Sequence, residues 1–285
     1  MLLYGMGKKA TNFIKRFDFG ENWKNFNKKY LTEDRIKQAN DAFIKFTEIQ
    51  TLKELTVVDI GCGSGIHSFN FSKMNPKSLL SFDYDSKSVE ATNYLRGVHK
   101  NNNWEVRQGS ILDDKFLLSL PKFDLVYAWG VLHHTGNVWK ALMNSCDLVS
   151  GGGHLYIALY SKNVNSKTDY WIKIKKKYNK SSRIGKIFLE SKFILKDISI
   201  RAIFVLKYLL KSFLNLNFND LFTNLTSHRH RGMNYIIDVR DWLGGWPMEF
   251  VWDNEVIEFV VNLNFRLVKI KTGEACTEFL FLKNS

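Results

Sequence analysis

Cysteine is scarce and unpatterned in this chain: Cys62, Cys146 and Cys276 are odd in number and widely separated. That spacing excludes a disulfide framework and offers no CxxC pair to a structural zinc. The opening MLLYGMGKKATNF breaks its short apolar run with glycine and lysine. No secretory leader is expected there, and a reducing, cytoplasmic setting follows. Acidic residues are also scarce, but in one place: residues 161–231 hold four Asp or Glu against 16 Lys or Arg, and the rest of the chain holds 24 against 25. Nearly all of the net charge of +13 therefore sits in one segment. Such an asymmetry marks an insertion with its own purpose on a near-neutral body. Apolar residues are plentiful at 45% of 285, enough to fill the core of a large α/β domain.

The apolar residues are arranged in alternating patterns. After an amphipathic stretch from about Thr32 to Ile49, short apolar runs at Val57 to Ile60, Ser78 to Phe82, Trp104 to Arg107, Leu125 to Trp129 and His154 to Leu159 have the length of buried strands. Helical stretches near 65–74, 86–99, 113–119 and 137–149 separate them. Strand and helix in alternation predict a doubly wound, mostly parallel sheet with both faces covered. Beyond the basic segment, Asn254 to Leu263 reads as a helix. Arg266 to Lys271 and Thr277 to Leu282 read as two strands closing an antiparallel hairpin, which brings the sheet to seven strands. The expected organisation is an N-terminal helical or lid segment over 1–50, a cofactor-binding core over 51–160, an inserted helical cap over 161–250, and a C-terminal helix and hairpin over 251–285.

The first strand carries the strongest chemistry. Val57-Val58-Asp59-Ile60 runs straight into Gly61-Cys62-Gly63-Ser64-Gly65 and then a helix. Alternating glycines let the chain turn tightly and let a ligand approach the backbone. A dinucleotide fingerprint would need glycine at the sixth position, where Ile66 stands. Asp59 argues against a pyrophosphate too, because its carboxylate would repel phosphate but accept hydrogen bonds from a cationic ammonium. Asp83, at the end of the second strand, is placed to accept both hydroxyls of a ribose, and Tyr84 to lie on an adenine ring. Gly109 and Ser110 follow the third strand, where the adenine edge would fall. Trp129 ends the fourth strand, toward the reactive carbon.

VVDIGCGSG, FDYD, FDLVYAWGVLHHTG and GGGHLYIAL together make residues 56–160 resemble the class I methyltransferases that use S-adenosyl-L-methionine, broadly their small-molecule branch, similar to ubiquinone-pathway methyltransferases. The chain also resembles a narrower bacterial subgroup with FxFGxNW, WGVLHHTG and DWLGGxP, here Phe17 to Trp23, Trp129 to Gly136 and Asp241 to Pro247. The resemblance implies the reaction, methyl transfer from the sulfonium cofactor, and leaves the acceptor open.

Methyl transfer asks mainly for positioning, with a base to take the acceptor's proton. His133 and His134 follow the fourth strand where the methyl group should face, and imidazole titrates near neutrality. One of the pair could equally brace the turn. Arg229 and Arg231 are candidates to hold an acceptor carboxylate or phosphate, and Trp246 either meets the acceptor or pins the insertion to the core. The spacing around His228 and His230 does not make a convincing metal site. The expected reaction is methylation of an oxygen, ahead of nitrogen or sulfur, on a small molecule or glycan. The basic insertion keeps a nucleic-acid methyltransferase as an alternative, although no NPPY-type motif or RNA-binding module is present. A cofactor-binding regulator without catalysis is the remaining one. The cations among the apolar residues of Ile198 to Leu214 also fit an anionic or membrane-associated acceptor at a membrane surface, and no obligate protein partner is indicated.

Overall fold

The computed structural model describes residues 17, 20, 23, 31–99, 102–215, 235–273 and 275–285. The first helix, α1 (Glu33–Thr47), starts where the Thr32 side chain accepts from the Arg35 amide and ends at Glu48, in the left-handed region. The repeating units follow: β1 (Thr56–Ile60), α2 (Ile66–Lys73), β2 (Ser78–Asp83), α3 (Ser86–His99), β3 (Trp104–Gln108), α4 (Asp114–Leu118), β4 (Phe123–Trp129), α5 (Val138–Asp147) and β5 (Val149–Tyr160). Among the described residues the inserted cap holds three helices, α6 (Thr168–Lys180), α7 (Arg183–Asn215) and α8 (Tyr235–Gly244). Then α9 (Asp253–Val261), β6 (Phe265–Thr272) and β7 (Cys276–Lys283) complete the core.

The seven strands lie in the order β3-β2-β1-β4-β5-β7-β6. The first five are parallel, and β7 runs antiparallel between β5 and β6. This is the Rossmann-like, mostly parallel sheet that the alternating pattern predicts, with the helical insertion after β5. Consecutive residues of β1 face opposite ways: Val57 packs with Phe43, Phe71 and Trp104, and Val58 with Leu142, Leu155 and Val256. Both faces are covered, so the central strands read as unbroken apolar runs.

β5 departs from the expected boundary. It begins at Val149, not His154, and runs through three glycines while its pairing with β4 jumps from Phe123↔Val149 to Leu125↔His154. A Cβ on Gly153 would lie 2.9 Å from Val149 and 3.0 Å from the Phe123 carbonyl. The glycines let a bulged strand continue where composition alone reads a turn.

The cap has a small core of its own, in which Tyr178, Val239 and Leu243 are buried with Ile174, Leu189, Phe193 and Trp242 around them. The predicted acceptor residues Arg229 and Arg231 lie outside the described residues.

Candidate active site

The order of the strands reverses between β1 and β4, and in open α/β sheets ligands sit at the carboxyl ends of the strands at such a point. The turn leaving β1 there is tightly built. Gly61 and Gly65 have φ of +67° and +80°. A Cβ on Gly61 would stand 2.3 Å from a Val131 methyl, and one on Gly65 would stand 2.8 Å from the Thr92 hydroxyl. Only glycine fits these two positions without displacing a neighbour. The Gly61 amide donates to the Phe82 carbonyl at 2.7 Å, and the Gly63 amide donates to Asp83 Oδ2 at 3.0 Å.

Asp83 thus ends β2 by binding the glycine turn with one oxygen, while Oδ1 accepts from the Asp85 amide at 2.9 Å. Tyr84 beside it is 59% exposed. Gly109 continues the rim: its amide donates to the Asp83 carbonyl at 3.0 Å, and the Phe116 ring fills the space a Cβ would need. The Ser110 hydroxyl accepts from the Leu112 amide at 3.1 Å. The structure therefore gathers Gly61, Gly63, Gly65, Asp83, Tyr84, Gly109 and Ser110 along one rim. The set places a carboxylate against the glycine turn, with an exposed aromatic ring next to it.

Asp59 takes a different place. It lies behind the turn, 3% exposed, in a chain of hydrogen bonds. Trp104 Nε1 donates to the Ser81 hydroxyl at 2.8 Å, Ser81 donates to Ser68 at 2.8 Å, and Ser68 donates to Asp59 Oδ2. Burial pushes its carboxyl up to about 7, opposed by the Ser68 hydrogen bond and assisted by the Asp83 charge. In this position it ties β1 to α2. Trp129, at the end of β4, is 38% exposed.

The two histidines divide. His133 is 1% exposed, its ring lies tilted with its centroid 3.9 Å from that of Tyr160, and its Nδ1 accepts from the Tyr160 amide at 3.2 Å. Burial, then the charges of His134 and Lys175, hold its pKa well below the usual imidazole value, so it is a neutral brace. His134 is half-buried, and its Nδ1 lies 2.7 Å from the Pro247 carbonyl. A carbonyl only accepts, so Nδ1 carries the hydrogen and Nε2 is the basic nitrogen.

This contact joins the sequence's separate motifs. Pro247 lies against Gly136, the Glu249 amide donates to the His133 carbonyl at 2.9 Å, and the Phe17 amide donates to the Trp246 carbonyl at 3.0 Å. The Gly20 amide donates to Asp85 at 2.9 Å, and the Trp23 indole lies against the Gly63 backbone. Trp246 is half-buried, with the Lys176 ammonium 5.2 Å from its ring.

Four residues with a part in this arrangement escape sequence reasoning. Glu249 holds the turn after the histidines, accepting from the Val138 amide at 3.0 Å, and burial pushes its carboxyl up to about 7. Lys175 is fully buried, with its ammonium on the Trp242 carbonyl, while Asn179 donates to the Gly244 carbonyl at 2.7 Å. Together they satisfy the end of α8. His67 follows the glycine turn, with its ring 5.1 Å from Tyr127, a buried Nδ1 without a partner, and a pKa that burial lowers to about 4. Only its position after GSG could have drawn notice. Among the described residues no cluster of His, Cys, Asp or Glu could hold a metal ion.

A family model described as a methyltransferase domain matches residues 52–200. The chain is 28% identical over 131 residues to the tRNA U34 carboxymethyltransferase of Campylobacter fetus, 45% of each chain, and 25% identical over 137 residues to the ubiquinone biosynthesis O-methyltransferase of Pelagibacter ubique, 46% of this chain and 55% of that one. It spans about half the length of these curated relatives. The fold is similar to that of an O-methyltransferase family protein from Burkholderia thailandensis, with a TM-score of 0.52 at 12% identity, covering 92% of this chain and 60% of that one. The relatives act on dissimilar molecules by name, so the small-molecule branch expected from the motifs is not singled out. The chain belongs to the methyltransferase domain family, and its strand order and glycine turn make it a class I member, the class whose methyl donor is S-adenosylmethionine.

Proposed function

We propose that this chain transfers a methyl group from S-adenosylmethionine to an oxygen of a small molecule or glycan, with His134 as general base. The observation that carries the reading is the bond from His134 Nδ1 to the Pro247 carbonyl, which makes Nε2 the basic ring nitrogen, in the turn after β4. Gly61, Gly63 and Gly65 receive the amino-acid end of the cofactor, Asp83 its ribose, and Tyr84, Gly109 and Ser110 its adenine. Asp59 supports the glycine turn from behind, and Trp129 flanks the reacting end. When bound, the cofactor supplies an activated methyl group and a neutral thioether leaving group. The protein orients the acceptor hydroxyl and removes its proton at Nε2 as the oxygen takes the methyl. Orientation can supply about 7 to 11 kcal/mol, and the base a further factor of about 10² to 10⁴.

The cap faces this end through α8 and Trp246, so acceptor choice is assigned to it, with Arg229 and Arg231 as candidates for an acidic group on the acceptor. A second reading, methylation of RNA, draws on the basic cap and on relatives named for tRNA modification. Incubating cell extract with the protein and methyl-labelled cofactor, then identifying the labelled species by mass spectrometry, separates the two. Label on a small molecule or glycan supports the first reading. Label on RNA replaces it with the second, and no label in any fraction contradicts both.

A further inference from the structure

Helix α7 carries two adjoining apolar faces. On one, Leu189, Phe193 and Ile194 pack into the cap core, and Glu190 is spent on the Tyr178 hydroxyl at 2.6 Å and on Arg240 at 3.2 Å. At 100° per residue the other side carries Ile184, Ile187, Phe188, Leu195 and Ile198, which are 81, 60, 68, 64 and 53% exposed. One exposed isoleucine needs no explanation, but five exposed apolar side chains along roughly 20 Å of helix, interrupted only by Ser191, mark a surface that meets something.

The charges around the stripe say what. Arg183 and Lys192 fall on its two borders, both exposed. On the preceding helix α6, Lys173, Lys176, Lys177 and Lys180 are exposed at helical spacing. Asp169 is the only exposed acid among the described side chains of the two helices.

We infer that α6 and α7 dock the cap on an anionic bilayer surface, with the stripe in the headgroup boundary and the lysines on lipid phosphates. The stripe argues against nucleic acid, which offers charge but little hydrocarbon to cover five bare apolar side chains. The lysines argue against a second copy of this chain, which would bring charges of one sign together. No described helix is long and apolar enough to cross a membrane, so the helices lie on the surface. Lys175 and Asn179 tie α6 to the end of α8, which leads into the Pro247 contact with His134. Docking therefore sets the position of the active-site mouth relative to the bilayer. The inference stands apart from the identity of the acceptor.

Sedimentation of the full chain with vesicles of phosphatidylglycerol and phosphatidylcholine, or of phosphatidylcholine alone, tests it. The protein should sediment with the anionic vesicles at low salt, stay in solution with the neutral ones, and dissociate as salt rises. The pair Phe188→Asp and Leu195→Asp should weaken partition at least tenfold with the melting temperature kept, and Lys173→Glu with Lys180→Glu should weaken it too. No sedimentation at low salt overturns the inference, as does binding that the aspartate pair leaves intact. A wild-type dimer that the aspartate pair converts to monomer also overturns it, because a second copy would then own the stripe. Cofactor affinity measured by calorimetry on the same samples is independent of either result.

Discussion

At the sheet rim, the groups that would meet a ligand are already tied to a neighbour. The Gly63 amide is on Asp83, the Gly61 amide on Phe82, His134 on Pro247, and the turn after it on Glu249. In the cap, the longest helix buries one apolar side and leaves the other in solvent. The rim is organised in advance for one small ligand, as expected where catalysis depends on position. Under the docking proposed above, the cap is organised for a surface. A substitution at the rim should therefore act on binding or turnover, and one on the outer side of the cap should leave both alone.

The largest effect expected is on turnover. His134→Ala should lower it by a factor of about 10² to 10⁴ with cofactor affinity unchanged. His133→Ala should act mainly on stability, because it removes a buried brace whose loss costs about 1 to 3 kcal/mol. Steady-state kinetics beside thermal melts would tell them apart. If His133→Ala lost turnover at full stability and His134→Ala did not, the assignments would be reversed.

Next is Gly61→Ala, which forces a Cβ into Val131 at a φ of +67°. Strain of this kind costs about 1 to 3 kcal/mol. Both melting temperature and cofactor affinity should fall, since Val131 leads directly into the histidine turn. The surface change Leu195→Ala, by contrast, should alter neither, and equal losses in the two would erase the distinction between rim and cap.

The smallest is a pH effect. Glu249 is raised from 4.5 to about 7 by burial, so the folded protein holds a proton that the unfolded chain has released. Its contribution to stability is fully present below about 4.5 and is lost as pH rises to about 7. Asp59, raised from 3.8 to about 7, acts in the same direction. Urea midpoints measured from pH 5 to pH 8 should fall less steeply in Glu249→Gln than in the wild type. Parallel curves would mean that the carboxyl titrates normally.

Much of this architecture was legible in the sequence because strand and helix periods differ so sharply here. The core elements lie within a few residues of the apolar runs that predict them, and VVDIGCGSG marks the switch point without help from the rest of the chain. Tertiary placement was not legible. Asp59 reads as a ligand for an ammonium, and only the fold shows its carboxylate held by Ser68 on the next helix. His133 and His134 are equivalent by type and neighbourhood, and only the fold puts one inside against Tyr160 and the other against Pro247. Lys175 looked like one more cation of a basic segment until α8 presented its carbonyls to it. The three glycines of β5 signal a turn by composition, and the bulge that carries the strand through them depends on pairing with β4.

Calorimetric titration of the wild type and of Asp83→Ala with S-adenosylmethionine, with NAD as the control ligand, tests the central claim most directly. The wild type should bind S-adenosylmethionine and not NAD. Asp83→Ala should lose about 1.5 to 3 kcal/mol of cofactor affinity, because charge-assisted hydrogen bonds to the ribose go with it. Equal affinity for NAD, or an Asp83→Ala variant that binds S-adenosylmethionine as tightly as the wild type, would contradict the assignment of this rim as the methyl-donor site.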